Sequence, residues 1–513
     1  MRMRALYALL IVAAGARLLL AVAAMPPYAG LDEAWHVARV AFVAREGRQP
    51  NISERSMPPY IARSIRGEEL PAFGEMRERW PQVVQPVTDR AFAPRDLAPY
   101  ESANYEAQQP PLYYAVAARL AGGSAVEELR RLRLLSALFA LIVILAAASV
   151  GHRYFGARGV VVAVLIASMP TWITLVIRAS NDAMACALAA CAIAVSASQR
   201  EADVSSARPR DGAAIAAHER TRRPLPLITV LEALLWALAI ATKLYVWPIA
   251  IVAVVFWRIQ RGSYTRIVIV VGACAMSALL TMHYLSAHTH NAFGDFGFDA
   301  PAHHGAAVPI AWAQMAKITI ASLIWTSGQH ADALRPLAML LYVLPLIAIA
   351  RARKSPYFVA AAFALGAFAL AQAVNAGAFV RQARAAGLAL PLGGKEGWYW
   401  YALAPLAICL FAKHARMAAV WFIAWDVVIT EGALFHDYAG VTSPAGKNVL
   451  FTWGPLHAPF TAHLAGIGVG PLAGHLIALR VVHIALAGAL FALESTLHDR
   501  HADIGAATGA NAA

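Results

Sequence analysis

The stretch Pro26-Pro27-Tyr28-Ala29-Gly30-Leu31-Asp32-Glu33-Ala34-Trp35-His36 directly follows an apolar run, residues 5–24, that is long enough to cross a membrane. It places an acidic pair, Asp32 and Glu33, where a membrane helix has just reached the surface. The stretch Tyr105-Glu106-Ala107-Gln108-Gln109-Pro110-Pro111-Leu112-Tyr113-Tyr114 comes later, before another apolar helix. Carboxylates at a membrane face, beside a long loop rich in Pro and Tyr, indicate chemistry on a lipid-linked substrate.

The composition is that of a membrane protein with many spans. Of the 513 residues, 59% are hydrophobic and 14% charged, and the mean hydropathy is +0.55. A soluble protein with this balance would expose large apolar patches. The net charge of +13 would suggest nucleic acid as the partner of a soluble domain. Here the basic residues lie at helix ends and between spans, which indicates membrane lipids as partners and no nucleic acid.

The apolar runs predict an all-α polytopic membrane protein. A membrane helix needs ~20 mostly apolar residues, and about twelve segments qualify or come close. The candidate spans are 5–24, 131–150, 159–177, 183–198, 225–241, 244–257, 267–284, 336–350, 355–374, 399–412, 414–431 and 472–493.

Basic residues cluster in alternate connections, which predicts the orientation. The bias favours cytoplasmic N- and C-termini and a long first loop, 25–130, outside the cytoplasm. The preference for Arg over Lys and the abundance of Ala are typical of a GC-rich bacterial genome. We therefore expect a multi-pass protein of the bacterial inner (plasma) membrane.

Asp32 and Glu33 are the first candidates for catalysis. A carboxylate at the membrane surface can act as general base on a sugar or alcohol hydroxyl. Asp32 could equally be the N-cap of a helix over 33–45, with Glu33 favourable in its first turn. His36 lies four residues after Asp32 on the same helix face. The two could share a divalent cation, but two ligands do not make a metal site, so we expect no required cofactor and leave a divalent cation open.

The stretch from Gln109 to Tyr114 is a second candidate element. Two prolines fix the entry to a helix, and Tyr113 and Tyr114 give an amphipathic rim at the level of the lipid headgroups. An ordinary aromatic belt would look the same in sequence.

Lys243 lies between two apolar spans, just under the outer surface on the predicted topology. A cation there is well placed to hold a lipid phosphate, although snorkelling or an interhelical ion pair would also explain it. Its anionic partner could be a protein carboxylate such as Asp182 or the donor phosphate, and the sequence reading favours the phosphate.

Several motifs follow one another in a fixed order. Arg17 lies inside the first span and precedes the acidic pair, and the Gln-Pro-Pro-Leu-Tyr-Tyr element closes the first loop. The later motifs are Arg133-Leu134-Leu135-Ser136-Ala137-Leu138, Gly151-His152-Arg153-Tyr154-Phe155-Gly156, Pro170, Arg178-Ala179-Ser180-Asn181-Asp182 and Thr242-Lys243. The ordered set, over residues 5–257, resembles the GT-C superfamily of membrane glycosyltransferases. Its nearest look-alikes are bacterial relatives of the protein O-mannosyltransferases and the lipid A aminoarabinose transferases.

The resemblance implies a GT-C-like fold and an inverting glycosyltransferase. Such an enzyme moves a sugar from a polyprenyl-phosphate donor to a lipid, glycan or protein acceptor at the outer face. Asp32 would be the catalytic base, and Glu33 would orient the acceptor or hold a cation. The implied donor phosphate-binding residues are Lys243, Arg133 and Arg178. The implied cavity residues are His36, Gln109, Tyr113, Tyr114 and Asp182.

The resemblance also divides the chain. Residues 1–257, with outer loop 25–130, form the expected catalytic membrane module, 258–493 a variable membrane module, and 494–513 a disordered cytoplasmic tail. The C-terminal half departs from the family pattern, because Gly397-Trp398-Tyr399-Trp400-Tyr401 lacks the family's Arg-Tyr pair. Arg381, Arg384 or Lys395 could substitute.

Two other functions fit a chain with many spans. A secondary transporter would show pseudo-repeated halves, which this sequence lacks. A polysaccharide polymerase or ligase would carry its large outer loop late in the chain. The long first loop disfavours both.

Overall fold

The computed structural model describes residues 2–25, 27–28, 33–51, 54, 57–65, 105–168, 176–198, 227–244, 246–247, 250, 264–288, 465 and 468–510. Regular structure within these residues is helical. The α-helices are α1 Arg2–Ala24, α2 Glu33–Glu46, α3 Pro59–Ile65, α4 Leu112–Ala117, α5 Ala125–Phe155, α6 Ala157–Val162, α7 Val164–Ser168, α8 Asn181–Ser198, α9 Leu227–Thr242, α10 Tyr264–His288 and α11 Ala473–Ala510. Short 3₁₀ turns span Tyr105–Gln108, Ala118–Leu120 and Gly470–Leu472.

Four of these helices are long and apolar enough to cross a membrane. Their apolar stretches are Met3–Ala24, Ala125–Arg153, Tyr264–His288 and Gly474–Leu493. Shorter apolar helices cover Ala157–Ser168, Asn181–Ala197 and Leu227–Thr242. The apolar helices agree with the prediction of a multi-pass membrane protein.

The other predicted spans and the predicted tail agree only in part with the structure. The predicted span 159–177 is divided between α6 and α7, and its residues 169–175 lie outside the described residues. The spans 336–350, 355–374, 399–412 and 414–431, and most of 244–257, also lie outside them. In the tail predicted to be disordered, α11 continues to Ala510. That tail is rich in Ala, a strong helix former, and carries no proline that would end the helix.

Helix α5 shows how local sequence sets its own ends. At its start, Ser124 Oγ accepts a hydrogen bond from Glu127 N (3.3 Å), and Glu127 Oε2 accepts one from Ser124 N (3.2 Å). This capping box satisfies two backbone donors that a helix start leaves open. Helix α5 ends at Phe155 and is followed by Gly156, whose φ of +61° lies in the region that favours glycine.

Helices α5 and α6 are in close contact. A Cβ built on Gly151 would lie 2.7 Å from the carbonyl oxygen of Gly159, and a Cβ on Gly159 would overlap the backbone of Gly151. The two helices can approach this closely only because both positions lack a side chain. The backbones of α5 and α6 are therefore in direct contact where Gly151 meets Gly159.

The long helices pack in a defined order. Helix α11 packs on α1, α1 on α5, α5 on α8, α8 on α9, and α9 on α10. Their buried faces form one apolar cluster, which includes Leu10, Val143 and Trp236. A second cluster joins α2, α3 and α4 of the first loop to the start of α5. The first loop therefore packs on one end of the helix array.

Candidate functional site

The candidate site lies at the end of the array where α1 and α9 end and where α5 and α8 begin. Three hydrogen bonds join these helix termini. They are Arg133 Nη1 to Met25 O at 2.6 Å, Ser136 Oγ to Arg178 O at 2.8 Å, and Asn181 Nδ2 to Thr242 O at 3.0 Å. Segments far apart in sequence, which carry the motifs noted above, therefore meet in one buried polar region.

Glu33 is completely buried, and its carboxylate holds two of these segments together. Arg133 donates to it from Nε (2.8 Å) and from Nη2 (2.6 Å), in the two-bond geometry typical of an arginine and a carboxylate. The backbone N–H of Ala179 also donates to Glu33 Oε1, at 2.9 Å. These contacts suit a residue that fixes the turn before α8. The expectation that Glu33 orients the acceptor or holds a cation stays a prediction.

Asp182 is the partner of two cations. Its Oδ1 lies 2.5 Å from Lys243 Nζ, and its Oδ2 contacts Arg178. Ser180 Oγ lies 3.3 Å from the same Oδ2. All three charged side chains are at least 94% buried. Asp182, one of the two partners that the sequence left open for Lys243, therefore lies beside it, and a contact of Lys243 with the donor phosphate stays a prediction.

Asn181 connects this ion-pair cluster to the first loop. Its side-chain Nδ2 donates to Thr242 O (3.0 Å) and to Gln109 Oε1 (3.3 Å). Its Oδ1 is buried and has no hydrogen-bond partner in the described part of the chain. Leaving a buried acceptor unpaired costs ~1–3 kcal/mol, so this oxygen is an unusual feature of the site.

Arg39 orders the Gln-Pro-Pro-Leu-Tyr-Tyr element from inside the first loop. It is completely buried, and its Nη1 donates to the carbonyl oxygens of Gln109 (2.9 Å) and Glu106. Its Nε and Nη2 both donate to Gln49 Oε1, at 3.1 and 2.9 Å. The guanidinium lies 3.7 Å from the ring centre of Tyr114, a favourable cation–π distance.

His36 lies beside this contact. Its Nδ1 is 2.7 Å from the Tyr114 hydroxyl and 3.4 Å from Glu106 Oε2. Burial lowers the pKa of His36 well below its usual range, and the positive charges of Lys243 and Arg178 lower it further. Burial and the nearby Glu106 carboxylate raise the pKa of Tyr114. Both side chains are therefore neutral near pH 7, and they form a neutral hydrogen-bonded pair.

The structure brings nine of the ten residues predicted for the site into this region. Tyr113 belongs to it through its edge-on contact with Tyr114, with ring centres 5.3 Å apart. Asp32, the predicted base, lies outside the described residues. Arg133 donates to Glu33 and Met25, so its contacts fit a role in holding Glu33, and its role as a phosphate-binding residue stays a prediction.

Sequence reasoning missed Arg39, Glu106 and Asn181 as individual site residues. Arg39 had one signal: it lies three residues after His36, on the same helix face, with apolar residues on either side of it in sequence. Glu106 and Asn181 lay within quoted motifs, but nothing in the sequence separates them from their neighbours.

No group of three or more His, Cys, Asp or Glu side chains that could hold a metal ion occurs among the described residues. The sequence candidate for a cation, Asp32 with His36, has only its second member within them. The contacts of His36 Nδ1 are with Tyr114 and Glu106.

The sequence matches no protein-family model and no curated protein. In structure, 95% of the chain aligns with 77% of ArnT from Cupriavidus metallidurans bound to undecaprenyl phosphate, at 16% identity and a TM-score of 0.46. The same share aligns with 55% of the Archaeoglobus fulgidus oligosaccharyltransferase tethered with an acceptor peptide, at 12% identity and a TM-score of 0.38. Both proteins are members of the GT-C superfamily.

Proposed function

We propose that this protein is an inverting glycosyltransferase that transfers a sugar from a polyprenyl-phosphate donor to a hydroxyl of an acceptor at the outer face of the membrane. The observation that carries the proposal is the convergence of its motifs. Glu33, Arg133, Asp182 and Lys243 come from four separate segments, and they meet around the turn 178–182 in a buried region at one end of apolar helices. Such a site could keep a lipid tail in the bilayer and its reactive head at the surface.

The reaction needs a base, an activated leaving group and an oriented acceptor. The acceptor oxygen attacks the anomeric carbon, and the bond from that carbon to the phosphate oxygen breaks. Polyprenyl phosphate leaves, and the acceptor proton passes to the carboxylate of Asp32. Attack on the face opposite the phosphate inverts the anomeric centre.

Lys243 and Arg178 are the groups we assign to the leaving phosphate. Asp182 holds the two cations side by side, and fixed charges stabilise the negative charge that develops on a leaving group. Glu33 and Arg133 act one layer behind them, because their contacts fix the turn that carries Arg178. The bacterial inner membrane, with both termini in the cytoplasm, is the proposed location.

A transfer assay tests the proposal. Purified protein in liposomes is given undecaprenyl-phosphate sugars and a cell-envelope acceptor fraction, and mass spectrometry detects the product and any co-purified glycolipid. We expect transfer by the wild type and ~10²–10⁴-fold slower transfer by Asp32→Asn, which keeps the size of the side chain. Wild-type protein that neither carries nor transfers a glycolipid sugar would contradict the proposed activity.

The orientation has its own test. Reporter fusions within 50–100 should read as external, and fusions within 205–220 and at 500 as cytoplasmic. A cytoplasmic first loop would place the carboxylates in the wrong compartment for a donor held at the outer face.

A further inference from the structure

The side-chain amide of Asn181 is held in one orientation. Its Nδ2 faces two acceptors, the carbonyl of Thr242 and the side-chain oxygen of Gln109. Exchanging the amide N and O of Asn181 would place an oxygen against the backbone carbonyl of Thr242, which can only accept, so this bond fixes which atom is Oδ1. The position of the acceptor Oδ1 is therefore set by a bond that it does not itself make.

This oxygen and the buried hydroxyl of Tyr113 have no hydrogen-bond partner among the described residues, although the polar side chains next to Asn181 in sequence do. Asn181 is completely buried, and its Oδ1 accepts no hydrogen bond from any described residue. The neighbouring side chains of Ser180 and Asp182 are both hydrogen-bonded. An acceptor that is buried, rigidly held and unpaired is suited to a donor that arrives with a ligand.

The charged groups near Asn181 limit which kind of ligand group could donate a hydrogen bond to its Oδ1. Asn181 adjoins Asp182 in sequence and bonds the carbonyl of Thr242, the residue before Lys243. The ion-pair cluster of Asp182 with Lys243 and Arg178 holds two cations for one carboxylate. An ammonium group would be repelled by these cations, whereas a neutral hydroxyl would not. Asn181 also contacts Gln109 of the first loop, so its oxygen lies where donor phosphate and acceptor would meet in the proposed reaction.

We propose that Asn181 is a specificity-determining residue whose side-chain oxygen accepts a hydrogen bond from a substrate hydroxyl. The inference rests on the proposed function, and the hydroxyl could belong to the donor sugar or to the acceptor. A site built to bond a hydroxyl discriminates against an analogue that lacks it, because the buried acceptor is then left unpaired.

Two substitutions distinguish the role of the side-chain oxygen of Asn181 from that of its side-chain N–H groups. Asn181→Leu removes both and keeps a similar size. Asn181→Asp keeps an acceptor oxygen but removes the N–H groups that bond Thr242 and Gln109. Thr229→Val is the matched control, because Thr229 Oγ1 is also buried and unpartnered among the described residues. Thr229 lies ~20 Å along α9 from Thr242, well away from the site.

The test compares wild type and variants with undecaprenyl-phosphate sugars and with their monodeoxy analogues, and in a second arm with deoxy acceptors. We expect one deoxy analogue to lower kcat/KM of the wild type roughly 10- to 100-fold. Asn181→Leu should lose this discrimination, Asn181→Asp should keep it with a lower melting temperature, and Thr229→Val should behave as the wild type. The arm that shows the effect identifies the molecule that carries the hydroxyl.

The same glycolipids are also added to each protein in a thermal unfolding assay, which reads binding without turnover. Equal discrimination by wild type and Asn181→Leu in both assays would overturn the role of Asn181 while leaving the glycosyltransferase intact. Discrimination in the unfolding assay without any transfer would support Asn181 and contradict the proposed activity. Wild-type protein that neither binds nor transfers any of these lipids would overturn both. If Asn181→Leu does not fold, Asn181→Ser supplies the comparison.

Discussion

Lys243 Nζ lies 2.5 Å from Oδ1 of Asp182, and the other oxygen of that carboxylate contacts Arg178. One carboxylate therefore fixes two cations that come from different parts of the chain, Lys243 from the end of α9 and Arg178 from the turn before α8. An ion pair as buried as this one contributes little net stability, because desolvation offsets most of the attraction. Its contribution is to geometry: it places two cations side by side before any substrate arrives.

The stability of the empty protein should depend more on Asp182 than on Lys243. Asp182→Asn leaves two buried cations facing a neutral amide and should cost about 3–5 kcal/mol of unfolding free energy. Lys243→Gln leaves Asp182 paired with Arg178 and should cost less. Melting curves in detergent without substrate measure both. The double variant should be more stable than the sum of the two losses predicts, because one of the two cations that lose their carboxylate is also gone. Additive losses would mean that the pair is not formed.

Substitutions at Glu33 and at Asp32 should have different effects, one mainly on stability and the other mainly on transfer, although the two residues are adjacent. Glu33→Gln weakens the buried two-bond contact with Arg133 and should lower the melting temperature strongly. Asp32→Asn should leave the melting temperature nearly unchanged while transfer falls, since Asn also caps helices. Thermal unfolding and transfer rates per folded protein are measured on both variants. A large stability loss in Asp32→Asn with normal transfer by its folded fraction would make Asp32 a cap and not a base.

The crossing of α5 and α6 should tolerate no side chain. Gly151→Ala or Gly159→Ala would force two backbones apart and should cost ~1–3 kcal/mol. Gly15→Ala in α1 is the control, because a Cβ there has nothing within 4 Å. That change should be neutral or should stabilise the protein by ~0.5–1 kcal/mol through helix propensity. Equal melting temperatures for Gly151→Ala and Gly15→Ala would refute the close contact.

His36 should make the fold sensitive to mild acid. Its pKa is lowered in the folded protein, so between that value and the ordinary value of ~6.5 the unfolded chain binds the extra proton. Stability is therefore complete above pH ~6.5 and is lost as the pH falls below it, by at most ~1.4 kcal/mol per pH unit. His36→Gln should reduce the drop in melting temperature between pH 7.5 and 5.5. An identical drop in the variant would mean that His36 does not titrate in this way.

The sequence predicts the parts of this molecule that depend on local pattern. Apolar run length predicts α1, α5, α9 and α10, and the position of the acidic pair predicts the start of α2 at Glu33. The sequence does not predict which charged side chains form ion pairs. Glu33 and Arg133 are 100 positions apart, and nothing in either motif specifies that pair over one between Arg133 and a phosphate. The three-dimensional packing of the first loop on the helix ends decides it.

Arg39 should hold the first loop on the site. Its planar guanidinium bonds Gln49 and the carbonyls of Glu106 and Gln109 while it stacks on Tyr114. A lysine ammonium cannot make these contacts together, so Arg39→Lys should loosen the segment 105–117 from α2. Hydrogen exchange should then increase in peptides from 105–117 and 33–46, with little change in α5 or α8. Transfer should fall as well, because Gln109 carries the contact to Asn181.

Arg48→Lys is the matched control for this change. Arg48, like Arg39, lies near an aromatic ring, 5.1 Å from the ring centre of Phe42, and it pairs with the Glu54 carboxylate, but its side chain is 52% exposed. Exposed ion pairs contribute little, so exchange in 105–117 and transfer should stay at the wild-type level. If Arg39→Lys and Arg48→Lys give the same exchange pattern, Arg39 does not fasten the loop. If exchange in 105–117 rises while transfer is unaffected, the loop is held by Arg39 but Gln109 does not position Asn181 for the reaction.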